Sequence, residues 1–159
     1  MPRSFIWLFG LLIVLMLGGL LGAWWLREQV PVHGKPLVEV EPVTAEACDL
    51  HRGPCRSAVD GGSVTLTLAP RPIRALQPLD IDVQVEGVPV QAAAVSFSGV
   101  DMYMGHNRVR LQSLGAGRYV GEGTLPVCVT GRMTWSAELI LEGPDAVRVV
   151  PFHFDVEGR

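Results

Sequence analysis

Two regimes of hydrophobic patterning divide the chain. From Phe5 to Leu26 the residues are apolar or small without a single charge, and Arg3 and Arg27 flank the run. Beyond about residue 60 the pattern changes to short alternations punctuated by Gly and Pro. Val64, Leu66 and Leu68 alternate with Thr65 and Thr67, while Leu79, Ile81, Val83 and Val85 alternate with Asp80, Asp82 and Gln84. A period of two is the signature of strands with one buried face. Val95 and Phe97 continue it toward Gly99, Val109 and Leu111 lead to a turn at 115–117, and Tyr119 to Thr124 gives a short strand ending before Pro126. Met133, Trp135, Ala137, Leu139 and Leu141 form the clearest alternation, closed by Gly143-Pro144-Asp145. A last strand runs from Val147 to Val156, where Pro151 calls for an edge position or a bulge, because proline cannot donate to a ladder.

About seven short strands with no amphipathic helix among them predict an all-β domain, an antiparallel β-sandwich of immunoglobulin-like type. The apolar run is long enough to cross a bilayer core, which takes about 20 residues. Trp24 and Trp25 follow the small residues Gly18, Gly19, Gly22 and Ala23 at once and suit an interfacial belt better than a cleavage site. The expected organisation is a transmembrane helix over 1–28, an extended linker over 29–46 containing Pro31, Pro36 and Pro42, and one domain over 47–159. Arg3 and the amino terminus favour an N-terminus inside and the domain exported, as in a single-pass protein of the bacterial inner membrane held through residues 5–26.

Setting Arg3 aside, the exported part is more acidic than the formal −3 of the whole chain. Nucleic acid, which is bound through clustered Lys and Arg, is not an expected partner. Candidate chemistry lies elsewhere. Residues 102–106 read Met-Tyr-Met-Gly-His, and Cys128 and then Met133 follow further along the chain. Thioether and thiolate sulfur are polarizable donors that suit Cu(I). On an extended segment Met102, Met104 and His106 point to one side. The candidate ligands are therefore Met102, Met104, His106, Cys128 and Met133, five donors in two adjacent segments. Each has a plainer reading: methionine fills irregular cores, Cys128 can be a buried apolar thiol, and His106 a polar loop residue beside Gly105. Met133 opens the alternation that runs to Leu141 and on that ground reads as a core residue. His33, in the linker, and His153, opposed in strand alternation to Phe152 and Phe154, are not candidates.

Cys48 and Cys55 are separated by a turn-rich segment containing Gly53 and Pro54, as a disulfide in an exported domain would have them. The alternative, a metal held by Cys48, His51 and Cys55, lacks the four-ligand spacing of a zinc module. Cys128 is left over as a reactive thiol, an intermolecular partner or a ligand.

With a single span, a short linker, and a sandwich containing Val-Asp-Met-Tyr-Met-Gly-His-Asn (100–107), Gly-Arg-Tyr-Val-Gly-Glu-Gly-Thr-Leu-Pro-Val-Cys (117–128) and Gly-Arg-Met-Thr-Trp (131–135), the chain resembles the FixH and YtkA-like group of membrane-anchored periplasmic proteins. The resemblance covers roughly residues 60–157, plus the anchor in architecture. It implies an immunoglobulin-like domain engaged in copper handling or in assembly of respiratory haem-copper oxidases, beside Sco-type copper chaperones. The Cys48/Cys55 segment and Cys128 depart from the group's general pattern. The expectation is a non-enzymatic protein that binds Cu(I) and passes it to an oxidase subunit or a Sco-type chaperone. One alternative is an interaction module that braces a membrane complex, with methionines as adaptable contact surface. Another is a thiol-disulfide partner using Cys48, Cys55 and Cys128, against which the absence of Cys-x-x-Cys counts. No glycine-framed serine or paired-carboxylate motif points to hydrolysis.

Overall fold

In the computed structural model the described residues are Met16, Gly18, Gly19, 35–44, 46–102, 105, 107–126 and 131–157. The chain divides into two compact units, Met1–Gly34 and Lys35–Arg159. Of the first, the three described residues are helical. The expected span over 5–26 otherwise lies outside the described residues, among which no helix is long and apolar enough to cross a membrane.

The second unit is all-β. Its strands are β1 (Leu37–Glu39), β2 (Cys55–Val59), β3 (Gly62–Ala69), β4 (Pro78–Glu86), β5 (Ala92–Gly99), β6 (Asn107–Gly115), β7 (Arg118–Thr124), β8 (Arg132–Glu142) and β9 (Val147–Glu157). They form one nine-stranded sheet in the order β1-β9-β8-β5-β6-β7-β4-β3-β2. The alternations dictate which side is buried. Val64, Leu66 and Leu68 of β3, Leu79, Ile81 and Val83 of β4, Val95 and Phe97 of β5, and Trp135, Leu139 and Leu141 of β8 share one core with Val150, Phe152 and Phe154 of β9. Fully burying each large side chain of this kind is worth about 1.5–3 kcal/mol.

For one sheet to enclose a core it must curl, and β6 is where it does so. Residues from Asn107 to Leu111 pair with β5, those from Gln112 to Gly115 pair with β7, and the register shifts between Ser113 and Gly115. The crossing strand passes close to β7 because β7 has no side chain in its way. A Cβ on Gly121 would stand 2.7 Å from Leu111 Cδ2 and 3.3 Å from Val109 Cγ1, and one on Gly123 would stand 3.0 Å from Val109 Cγ2. The Gly-Glu-Gly of β7 thus makes room for the inward residues of β6.

Two strands exceed the seven expected. Leu37–Glu39 falls within 29–46, the segment read as linker, yet pairs in parallel with β9, and the second unit starts at Lys35 rather than at 47. A strand of three residues between Pro36 and Pro42 is too short to establish a period. In β2 the inward residues are Cys55, Ser57 and Val59, a set too weakly apolar to register as a buried face. Pro151 causes no bulge, since β8 and β9 pair without interruption from Arg132↔Glu157 to Glu142↔Val147. Its side of β9 faces β1, where contacts are intermittent: Val40 N–H donates to Val149 O and Val43 N–H to Pro151 O, and His153 N–H donates to Val43 O. The β8 ladder therefore never needs the missing proline N–H.

Cys48 and Cys55 form a disulfide, with Cα atoms 5.7 Å apart. Both sulfurs are thereby taken from the alternative metal set Cys48, His51 and Cys55. His51 is engaged as well. Its Nδ1 accepts the Ile73 N–H at 3.1 Å, and its Nε2 donates to Asp155 O at 2.6 Å. One ring nitrogen accepts while the other donates, so the imidazole ties two distant backbone groups together. The ring also meets Phe154 edge-on, with centroids 6.4 Å apart.

Candidate functional site

Strand polarity sets where the two donor segments start and finish. The chain leaves β5 at Gly99 and enters β6 at Asn107; it leaves β7 at Thr124 and enters β8 at Arg132. Phe97 pairs with Asn107 and Gly99 with Trp135. Val100 N–H donates to Thr134 O at 2.9 Å, and the Asn107 side-chain amide donates to Thr124 O. All four strand ends therefore lie at one end of the sheet, and the connections that carry Met102 to His106 and Cys128 are both rooted there.

Of the five candidate ligands, Met102 and Met133 are described; Met104, His106 and Cys128 lie outside the described residues. Met102 is 46 % exposed, whereas Met133 is 4 % exposed and belongs to the core. The two nonetheless converge on Gly99. A Cβ there would overlap both Met133 Cε and the Met102 carbonyl oxygen. Glycine at the end of β5 lets the thioether side chain of β8 and the backbone leaving β5 occupy adjoining space. The close approach carries no sequence signal beyond the glycine itself.

The same end holds further groups. The Cys48–Cys55 disulfide lies at the start of β2, which pairs with the latter part of β3 through Cys55↔Leu66. His51 joins Ile73 to Asp155, whose carboxylate accepts the Thr134 hydroxyl at 2.9 Å, next to Met133. His51 as a brace was not apparent from spacing, because its partners are backbone groups far along the chain. Leu76, Val100 and Met102 are large apolar side chains exposed at 57 %, 49 % and 46 %. Leu76 has a φ of 60°, a region unfavourable for a branched side chain. Its N–H is fixed to Leu125 O at 2.9 Å, just beyond β7.

Among the described residues no group of three or more His, Cys, Asp or Glu is placed to hold a metal ion. A site of hard or zinc-type ligands is thus not found there; a thioether set is a different chemistry. A surface groove lined by Ala92, Ala94, Arg108, Arg110, Leu111 and Glu142 lies toward the other end of β5 and offers no soft donor. Arg118, on β7, is held more firmly protonated than usual by its hydrogen bond to Asp82 and then by the charge of that carboxylate, away from the strand ends.

The chain matches no family model, no curated protein and no solved structure.

Proposed function

We propose that the protein is a membrane-anchored, periplasmic Cu(I)-binding protein that takes part in copper delivery to, or assembly of, a respiratory haem-copper oxidase. It acts by ligand exchange and not as an enzyme. The observation that carries the reading is at the Gly99 end of the sheet: Met133 Cε and the backbone of Met102 adjoin Gly99, and the connections whose sequences hold Met102, Met104 and His106 and hold Cys128 both leave the strands at that end. Met102, Met104 and Cys128 are the primary ligands in this reading and His106 an additional one. The burial of Met133 gives it the part of an apolar floor, with its sulfur a reserve donor.

The pairing pattern supports an immunoglobulin-like sandwich. β3, β4, β7 and the second half of β6 run in the order of one face of that fold, and β5, β8 and β9 in the order of the other. With the apolar run 5–26 as inner-membrane anchor, the resemblance to the FixH and YtkA-like group and its association with oxidase subunits and Sco-type chaperones stand as part of the proposal.

One observation favours a second reading. Leu76, Val100 and Met102 expose apolar surface at the same end, as a contact surface for a protein partner would. In that case the domain braces a membrane complex and its methionines are contact residues.

An anaerobic Cu(I) titration of the detergent-solubilised chain against a competing chelator separates the two. Tight one-to-one binding that weakens at least about tenfold, roughly 1.4 kcal/mol, in Met102→Leu, Met104→Leu or Cys128→Ser supports the copper site. Failure to compete with the chelator leaves the bracing module.

A further inference from the structure

The far half of β6 ends in the open on both of its sides. Asn107, Val109 and Leu111 are half-buried on its inward side, yet Ser113, next in that row, is exposed, as are Gln112, Leu114 and Gly115. The pairing shows why. β5 accompanies β6 only as far as Ala93↔Leu111, and from Gln112 onward β6 pairs with β7 alone. Along 112–114 its other edge bonds to no backbone group among the described residues. The line of β5 stays open beyond Ala92, which is exposed although it lies in a strand. The residues before it are drawn inward, where Val90 packs against the core and its carbonyl accepts the Tyr119 hydroxyl at 2.9 Å. A free strand edge of this kind offers its N–H and C=O groups to any extended chain.

Charge decides which chain. On the outward side of β6, Arg108 and Arg110 line a surface groove with Ala92 and Ala94 of β5. Arg108 reaches Glu142 at 3.5 Å, whereas Arg110 makes no ion pair among the described residues. A second copy paired through this edge would bring its own Arg108 and Arg110 to the same seam, and like charges across a pairing disfavour it. An acidic strand meets them with opposite charge. Side chains of an extended chain alternate between faces. Acidic residues on one face would therefore stand beside Arg110, while apolar residues on the other continue the inward row of Val109 and Leu111.

We propose that the free edge of β6 at 112–114 binds an extended segment of a partner protein in which acidic and apolar residues alternate. The segment adds as a strand in line with β5. This surface is separate from the donor segments, which leave the strands at the Gly99 end.

The ¹⁵N-labelled full chain in maltoside micelles is titrated at constant ionic strength with a synthetic peptide of alternating glutamate and valine. Two controls are its backbone-N-methylated form and a lysine–valine peptide of the same length. The expected result is a saturable shift of the Gln112, Ser113 and Leu114 amides, with the Gly99 amide unmoved. The N-methylated peptide should not bind, and the lysine–valine peptide should bind at least about tenfold more weakly. Arg110→Gln should weaken binding about threefold, the size of one exposed charge pair. No saturable response, equal affinity for either control peptide, or unchanged affinity in Arg110→Gln overturns the proposal. Shifts at 112–114 that follow protein concentration and not the peptide also overturn it, assigning the edge to a second copy.

Discussion

Gly99 and Met133 occupy adjoining space so tightly that the end of the Met133 side chain sits where any Cβ at position 99 would be. Gly99→Ala must displace the methionine, which can swing away, and the Met102 carbonyl, which is main chain and cannot. Overpacking of this kind costs about 1–3 kcal/mol. Urea denaturation should show that loss, and in a Met133→Ala background, whose own core loss is the reference, Gly99→Ala should still cost part of it. No cost in that background would show that the backbone at Met102 gives way freely.

His51 should matter for stability. His51→Ala removes the acceptor of the Ile73 N–H and the donor to Asp155 O. Leaving a part-buried donor unsatisfied costs about 1–3 kcal/mol. A variant with wild-type stability would mean that water replaces both bonds.

Removing the Cys48–Cys55 bridge by paired alanine substitution should cost about 2–3 kcal/mol on the chain-entropy account for so short a loop. Cu(I) affinity should stay within about twofold of the parent, because neither sulfur belongs to the proposed donor set. A larger fall in affinity would tie the disulfide to the metal.

Gly121→Val tests the curl of the sheet. A Cβ there already stands 2.7 Å from Leu111 Cδ2, and branching adds further overlap with Val109. Loss of about 1–3 kcal/mol is expected, with hydrogen exchange rising first at the β6–β7 pairing. Unchanged protection there would remove the glycines from the explanation of the crossing.

How far the sequence revealed this fold depended on where apolar contrast was strong. Met133 to Leu141 and Leu79 to Val85 announce their strands because every second residue is large and apolar. β1 and β2 escaped notice because one has three residues and the other presents Cys55 and Ser57 inward. The linker boundary failed for the same reason, since Leu37–Glu39 gains its strand character from β9 and not from its own pattern. At the candidate site, spacing brought Met102 and Met133 into one hypothesis, but their meeting depends on Gly99, a residue whose contribution is an absence of atoms. Three of the five proposed ligands, Met104, His106 and Cys128, lie outside the described residues, and their part in the site was legible in the spacing alone.

The parallel pairing of β1 with β9 has a mechanical consequence. Leu37 pairs with Val147, at the start of β9, and the chain then runs alongside β9 toward the end that bears Gly99 and Met133. Tension between the segment before Lys35 and the far end of β9 pulls the two strands past each other along their length. Such loading is in shear: the bonds of Val40 to Val149 and of Val43 to Pro151 resist together instead of opening one at a time. A short strand, too weakly patterned to be recognised in the sequence, is thus placed to carry load along its whole length.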